Sequence, residues 1–137
     1  MKEFLAKNKW FIVIFLLTLA IFLILFYNLH NQTKIINNER EYLETVSPWL
    51  GSVTETYQAR DIANIHDKLL YLKSHDKSVG DAHMNLFLAF DVWQEYLKTK
   101  NPDLKNQISD FLQRADEKMP ALDSEIKRLE NILAEDV

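Results

Sequence analysis

The chain has 137 residues, a net charge of −4 and no cysteine, and it contains two glycines and three prolines. This length suits one domain plus a targeting element, and the scarcity of turn residues argues against an all-β fold. The missing cysteines exclude disulfides, thiolate metal sites and lipid anchors on Cys. The dispersed basic side chains disfavour nucleic-acid binding, which needs clustered Lys and Arg.

Residues 10–29 (WFIVIFLLTLAIFLILFYNL) are the first predicted element, and Thr18 and Asn28 are their only clearly polar side chains. Twenty helical residues extend about 30 Å, the thickness of the hydrocarbon core of a bilayer. A cleavable export signal has a shorter apolar stretch and a cleavage site of small residues, whereas this stretch leads into bulky and polar residues. Trp10 and Tyr27 lie near its two ends, where amphipathic aromatic side chains favour the membrane interface. The stretch is therefore predicted to be an uncleaved transmembrane anchor.

The charges that flank this span predict its orientation. The nearby basic residues are Lys2, Lys7 and Lys9 before the span and Lys34 and Arg40 after it. Because the cytoplasmic side retains the excess of Lys and Arg, residues 1–9 are predicted to be a cytoplasmic tail and the C-terminal domain to be extracytoplasmic. The frequent Lys, Asn and Ile residues indicate a bacterial source, so the expected location is the plasma (inner) membrane with a single pass.

The segment after the span is polar and is predicted to be a juxtamembrane stalk over residues 30–46. Whether this stalk is helical is left open. The sequence SPW then predicts a helix start, since Ser47 can cap a helix and Pro48 suits its first position. The alternative is a proline kink within one long helix. With the start at Ser47, the extracytoplasmic bundle spans residues 47–137.

Three helices are expected in this bundle, and the first covers about residues 48–74. Its apolar positions form two stripes that differ in phase: Val46, Leu50, Val53 and Tyr57, and then Ile62, Ile65, Leu69 and Leu72. The second helix covers about residues 81–99. It follows a turn in which Gly80 can take a positive φ and Asp81 can cap the helix. Because the second helix is apolar nearly all round, it is predicted to be central to the core.

The third helical segment covers residues 103–134 and carries a heptad pattern. Its members are Leu104, Ile108, Phe111, Ala115, Met119, Leu122, Ile126, Leu129 and Leu133. No alternation typical of strands is present. The predicted fold class is therefore all-α: an N-terminal single transmembrane helix followed by an up-down-up three-helix bundle, or a four-helix bundle if the third helix breaks at Pro120.

The lengths of these helices, about 40, 28 and 48 Å, do not match. A straight third helix would extend about 20 Å beyond its neighbours and expose four side chains: Leu122, Ile126, Leu129 and Leu133. Either the helix breaks at Pro120 and folds back, or it continues and docks on another protein or a second copy. The unbroken heptad phase favours continuation, so these four side chains are the predicted partner-binding residues.

Two further groups are candidate sites. His75, Asp76, Asp81 and His83 lie within nine residues and are weak candidates for a metal site. Their spacing matches no metal motif and Asp81 has a capping role, so no metal or other cofactor is predicted. Arg60 and Asp91 interrupt apolar stripes, and we hypothesise a partly buried ion pair between antiparallel helices. The alternative is that both extend from the edge of the core into water.

The chain contains no nucleophile elbow, phosphate-binding glycine loop, zinc-protease helix or di-iron carboxylate pattern. It is therefore predicted to be non-enzymatic: a membrane-anchored interaction or accessory protein. Its expected partner is another membrane or envelope protein, or a second copy, bound at the C-terminal heptad helix. The alternative function is a small-ligand-binding or sensor-like bundle with a pocket at Phe90 and Trp93.

Overall fold

The computed structural model describes residues 2–136, and the chain divides after Thr33 into two units. Met1 and Val137, the outermost residues of the predicted tail and bundle, lie outside the described residues. The first unit contains helices α1 (Lys2–Lys7) and α2 (Lys9–Gln32). Within α2, Lys9–Asn28 has a mean hydropathy of 2.8 and none of it is buried. One helix of the described chain is thus long and apolar enough to cross a membrane.

The second unit is mostly helical, which confirms the fold class in outline. Its elements in chain order are β1 (Lys34–Ile36), α3 (Glu39–Gly51), α4 (Ala59–Leu70), β2 (Leu72–Ser74), α5 (Lys77–Thr99), α6 (Pro102–Lys118), a 3-10 turn (Pro120–Leu122) and α7 (Asp123–Glu135). The strands pair in parallel, with Ile35 opposite Lys73. Strands of three residues are too short to produce a recognisable alternation, so the sequence pattern did not predict them.

The prediction of a stalk over residues 30–46 is wrong for most of that segment. The side chain of Asn38 accepts a hydrogen bond from the backbone N–H of Glu41 and caps α3. Ile36, Tyr42 and Val46 are buried in the core of the helical domain. Tyr42 and Val46 are four residues apart, so positions that look scattered along the sequence share one face of α3.

The first predicted helix is also divided differently. Pro48 lies inside α3 instead of at its start, and α3 ends at Gly51. After a loop over residues 52–58, α4 begins at a capping box in which Asp61 accepts from the backbone N–H of Gln58. The phase difference between the two apolar stripes marks this break, because each stripe belongs to its own helix.

Helix α5 starts at Lys77, four residues before the predicted position. Its N-cap is Asp76, which accepts from the backbone N–H of Val79, so the prediction of Asp81 as the cap is wrong. Gly80 lies inside the helix and does not have a positive φ. An Asp side chain can cap a helix from either position, and capping by Asp76 adds residues 77–80 to the start of the helix.

The third predicted helix breaks at Pro120. A residue before proline is disfavoured in the helical region, and Met119 accordingly takes φ −141° and ψ 84°. The four predicted partner-binding residues follow this break in the 3-10 turn and α7: Leu122, Ile126, Leu129 and Leu133. All four are at most 2 % exposed. Their prediction as an exposed docking surface is therefore wrong, because α7 folds back onto the domain and packs on α6 and α3.

Two ends of the helical domain can be distinguished. The pairing of β1 with β2 brings together the start of α3, the end of α4 and the start of α5, and we call this the strand end. At the loop end, Asp136 after α7 contacts Tyr57 of the α3–α4 loop and Lys100 of the α5–α6 connection. Between the strand end and the loop end, α5 packs extensively on α6 and contributes the buried side chains of Phe90 and Trp93 to the core.

Candidate functional site

Exposed apolar side chains of the helical domain lie on the elements of the strand end. Among residues 34–136, the large apolar side chains with high exposure are Ile35 (49 %), Leu70 (52 %) and Met84 (56 %). Ile35 is the middle residue of β1, Leu70 is the last residue of α4, and Met84 lies two turns into α5. Exposed apolar clusters often mark interaction surfaces, so this region is the candidate functional site.

A groove of about 180 Å³ lies between the end of α4 and the first turns of α5. We call it the strand-end groove, and it is lined by Leu69, Leu70, Leu72, His83, Met84 and Phe87. Adjacent residues of a helix point about 100° apart, so when Leu69 is buried Leu70 turns outward. On α5, His83 and Phe87 are four residues apart and share one face. The lining is therefore apolar except for one imidazole.

His83 connects this groove to α3. Its Nδ1 atom lies 3.0 Å from the Tyr42 hydroxyl oxygen, and the two rings meet edge to face with centroids 5.6 Å apart. Burial lowers the pKa of His83, and a hydrogen bond to the backbone of Leu69 partly opposes this effect. Burial also raises the pKa of the Tyr42 hydroxyl. The pair is consequently held in its uncharged form beneath the groove.

His66 forms the neighbouring part of the α4–α5 contact. Its ring stacks on Phe87 with centroids 4.8 Å apart, and its Nε2 atom lies 3.1 Å from a carboxylate oxygen of Asp91. The hypothesis of an Arg60–Asp91 ion pair is therefore wrong. Arg60 is exposed and lines a separate groove with Gln94 of α5. The reason is helix register: Asp91 lies opposite His66, about 9 Å along α4 from Arg60.

The structure does not bring the four metal candidates together. His75 is exposed, Asp76 caps α5, and His83 contacts Tyr42. Asp81 lies inside α5, where its backbone carbonyl accepts a hydrogen bond from the Asn85 side chain. Over residues 2–136, no three His, Cys, Asp or Glu side chains are grouped so that they could hold a metal ion.

The predicted ligand pocket at Phe90 and Trp93 is filled by protein. Both side chains are 0 % exposed, and their rings stack with centroids 5.6 Å apart. The indole N–H of Trp93 donates to the Tyr57 hydroxyl at 3.1 Å. These aromatic residues belong to the core and leave no ligand space at that position.

Polar contacts close the loop end. The Arg128 guanidinium donates to the backbone carbonyls of Leu50 and Val53, which lie at the C-terminal end of α3 and just beyond it. Lys105 Nζ donates to the backbone carbonyl of Asp136 at 2.7 Å. These contacts hold α7 against the domain and keep its apolar face buried.

Sequence patterns missed the exposure of Ile35 and the groove that Leu70 and Met84 line together. A signal existed for Leu70, because two adjacent leucines of an amphipathic helix cannot both face the core. A second signal was the nearly uniform apolar surface of α5, part of which must stay uncovered in so small a domain. Comparison of the chain with models of known protein families, with curated proteins and with solved structures gave no match.

Proposed function

We propose that the protein is a membrane-anchored, non-enzymatic interaction or accessory protein, which holds its helical domain at the extracytoplasmic face of a plasma (inner) membrane. The observation that carries this proposal is the unburied Lys9–Asn28 segment of α2, with its mean hydropathy of 2.8. An apolar helix of this length is covered either by lipid or by protein. The core of the helical domain is complete without it, since that core is built from residues 36–133.

The proposed orientation rests on the charges next to α2. Lys2 and Lys7 precede the apolar segment and Lys9 begins it, and Lys34 is the nearest Lys or Arg after it. The positive-inside rule then assigns the N-terminus to the cytoplasm.

The contacts of the titratable side chains support a non-enzymatic role. A catalytic site needs a pocket in which a nucleophile or base converges with polar groups. His83 and Tyr42 instead bond each other beneath an apolar groove, and Asp76 caps a helix. Each of these groups has a structural partner that accounts for its position.

The partner is expected to be another membrane or envelope protein or a second copy of the chain. Although the apolar face of α7 is buried, its outer face lines a groove of about 550 Å³ with the α3–α4 loop. The lining residues are Thr54, Glu55, Arg128, Asn131, Ile132, Ala134 and Glu135. This lining combines polar side chains with the apolar Ile132 and Ala134, so we propose that the C-terminal helix still carries the partner surface, through different residues from those predicted.

The absence of cysteine makes single-cysteine labelling a direct test of anchoring and orientation. In intact cells, a membrane-impermeant thiol reagent should label the Asp110→Cys variant, at an exposed position of α6 outside the partner groove, and should label Ala6→Cys only after the membrane is permeabilised. Both variants should stay with the membrane after extraction with alkaline carbonate. Release by carbonate would overturn the anchor, and the reverse labelling pattern would overturn the orientation.

The partner surface is tested by a photocrosslinking amino acid in the same cells. Glu135 lines the groove, whereas Glu44 lies on α3 and is well exposed. A discrete crosslinked product at position 135 and none at position 44 is expected. The absence of a product at position 135, or equal products at both positions, would overturn this assignment.

A further inference from the structure

We propose that the strand-end groove seats on the lipid surface of the membrane that α2 spans. Ile35, Leu70 and Met84 would then enter the boundary between the headgroups and the acyl chains. This inference rests on the proposed function, since it takes α2 to be a membrane anchor. It adds a second contact with the membrane, made by the folded domain itself.

The chain that connects α2 to β1 is short. The apolar segment ends at Asn28, α2 continues to Gln32, and Thr33 alone separates it from β1 at Lys34. Four helical residues rise about 6 Å, and the two steps from Gln32 to Lys34 add at most about 7 Å. The start of β1 is therefore within about 13 Å of the hydrocarbon edge. The headgroup region on each side is about 5–8 Å thick, so the chain keeps β1 within or just outside the headgroups.

The exposed apolar side chains of the helical domain lie on elements of the strand end. Ile35 belongs to β1 itself, and Leu70 precedes the strand that pairs with it. Leu70 and Met84 line one groove. At the loop end, by contrast, Ile132 is 7 % exposed and Val53 is fully buried. The uncovered apolar side chains thus lie on the end of the domain that the chain tethers to the membrane.

Charge supports a lipid surface as the occupant. Lys73 is the strand partner of Ile35, and Lys34 begins the same strand; both side chains are exposed. Lysine stems can lie along apolar surface while their ammonium groups reach phosphate headgroups. Lys73 shares a face of the two-stranded sheet with Ile35, whereas the Lys34 ammonium donates to the Thr45 hydroxyl at 3.1 Å. Lys73 is therefore the lysine that is placed to reach a headgroup beside Ile35.

The size of the surface disfavours a protein occupant. Stable protein interfaces bury about 800 Å² on each partner and contain a well-packed apolar centre. Three half-exposed aliphatic side chains beside a groove of about 180 Å³ offer far less than that. A lipid surface needs no such area, because α2 already supplies the attachment.

The test uses the full-length chain reconstituted into vesicles of phosphatidylethanolamine and phosphatidylglycerol. A fluorophore is attached at one cysteine in each of four variants: Leu70→Cys, Met84→Cys, Phe22→Cys in α2, and Glu55→Cys at the loop end. Lipids brominated near the top of the acyl chain act as the quencher. The expected result is a loss of fluorescence at positions 70, 84 and 22 and no loss at position 55.

Each other outcome has a distinct meaning. Quenching at position 22 without quenching at positions 70 and 84 would overturn this inference and leave the anchor intact. No quenching at position 22 would overturn the anchor and this inference with it. If positions 70 and 84 are shielded from an aqueous quencher only at high protein-to-lipid ratio, a second copy covers the groove and the inference fails. Ile35→Cys provides an independent position if either strand-end substitution reduces the helical content.

Discussion

The strand end and the loop end of the helical domain leave apolar side chains in different surroundings. At the loop end, Arg128 and Lys105 hold α7 against the domain through backbone carbonyls, and the apolar residues there are buried. At the strand end, two three-residue strands meet and Leu70 and Met84 remain half exposed. A small domain can close one end by polar contacts and leave apolar side chains uncovered at the other end, where the proposed lipid surface would cover them.

The largest contrast should come from truncating one leucine of α7 and one of the strand end. Leu129 is 0 % exposed, so Leu129→Ala should lower the free energy of unfolding by about 2–5 kcal/mol. Leu70 is 52 % exposed, and Leu70→Ala should change it by less than about 0.5 kcal/mol. Urea titrations of the full-length chain in detergent micelles, monitored by circular dichroism, measure the unfolding free energies of both variants. Equal effects would mean that α7 does not close the core.

The contribution of the loop-end contacts should be the next largest. Arg128→Met removes the hydrogen bonds to the carbonyls of Leu50 and Val53 and should cost about 1–3 kcal/mol of unfolding free energy. The neighbouring Lys127 pairs with Asp123 on the exposed side of α7. Lys127→Met is therefore the matched control, and its urea midpoint should stay unchanged. An unchanged midpoint for Arg128→Met would contradict the role assigned to the polar contacts.

Mild acid should weaken the strand end through His83. Burial lowers the pKa of His83 below its ordinary 6.5, so the unfolded chain binds a proton more readily than the folded protein. The stability of the neutral His83–Tyr42 contact is therefore fully present above pH 6.5 and decreases as the pH falls below that value. His83→Gln should flatten this decrease, as measured by urea titrations at pH 7.5 to 5, whereas His75→Gln should preserve it. A slope that persists in His83→Gln would assign the effect to another group.

Apolar periodicity predicted much of the core from sequence. The stripe Ile62, Ile65 and Leu69 is buried in α4, and Phe90 and Trp93 are buried in α5, as their spacing indicates. Periodicity is reliable here because a helix buries one face irrespective of which neighbour covers it. The all-α class follows from the same patterns.

Helix boundaries and the exposed surface were harder to predict. Asn38 and Asp76 cap α3 and α5 in place of the predicted Ser47 and Asp81, and all four residue types are able to cap a helix. The fold-back at Met119 preserves the heptad phase, so the phase could not distinguish a break from a continuous helix. The strand-end groove depends on the register of α4 against α5, and contacts between residues that are distant in the sequence set this register.

The smallest expected effect tests that helix register, on which the strand-end groove depends. Asp91 is largely exposed and contacts His66, so a double-mutant cycle between them should give a coupling of at most about 1 kcal/mol. The cycle between Arg60 and Asp91, made with Arg60→Gln and Asp91→Asn, should give none, because Arg60 lies about 1.7 turns from His66, toward the start of α4. Urea titrations of the single and double variants measure both couplings. A clear Arg60–Asp91 coupling would require α4 to shift along α5 by about 9 Å. Leu70 would then no longer lie beside Met84, and the contrast between the two ends would fail with it.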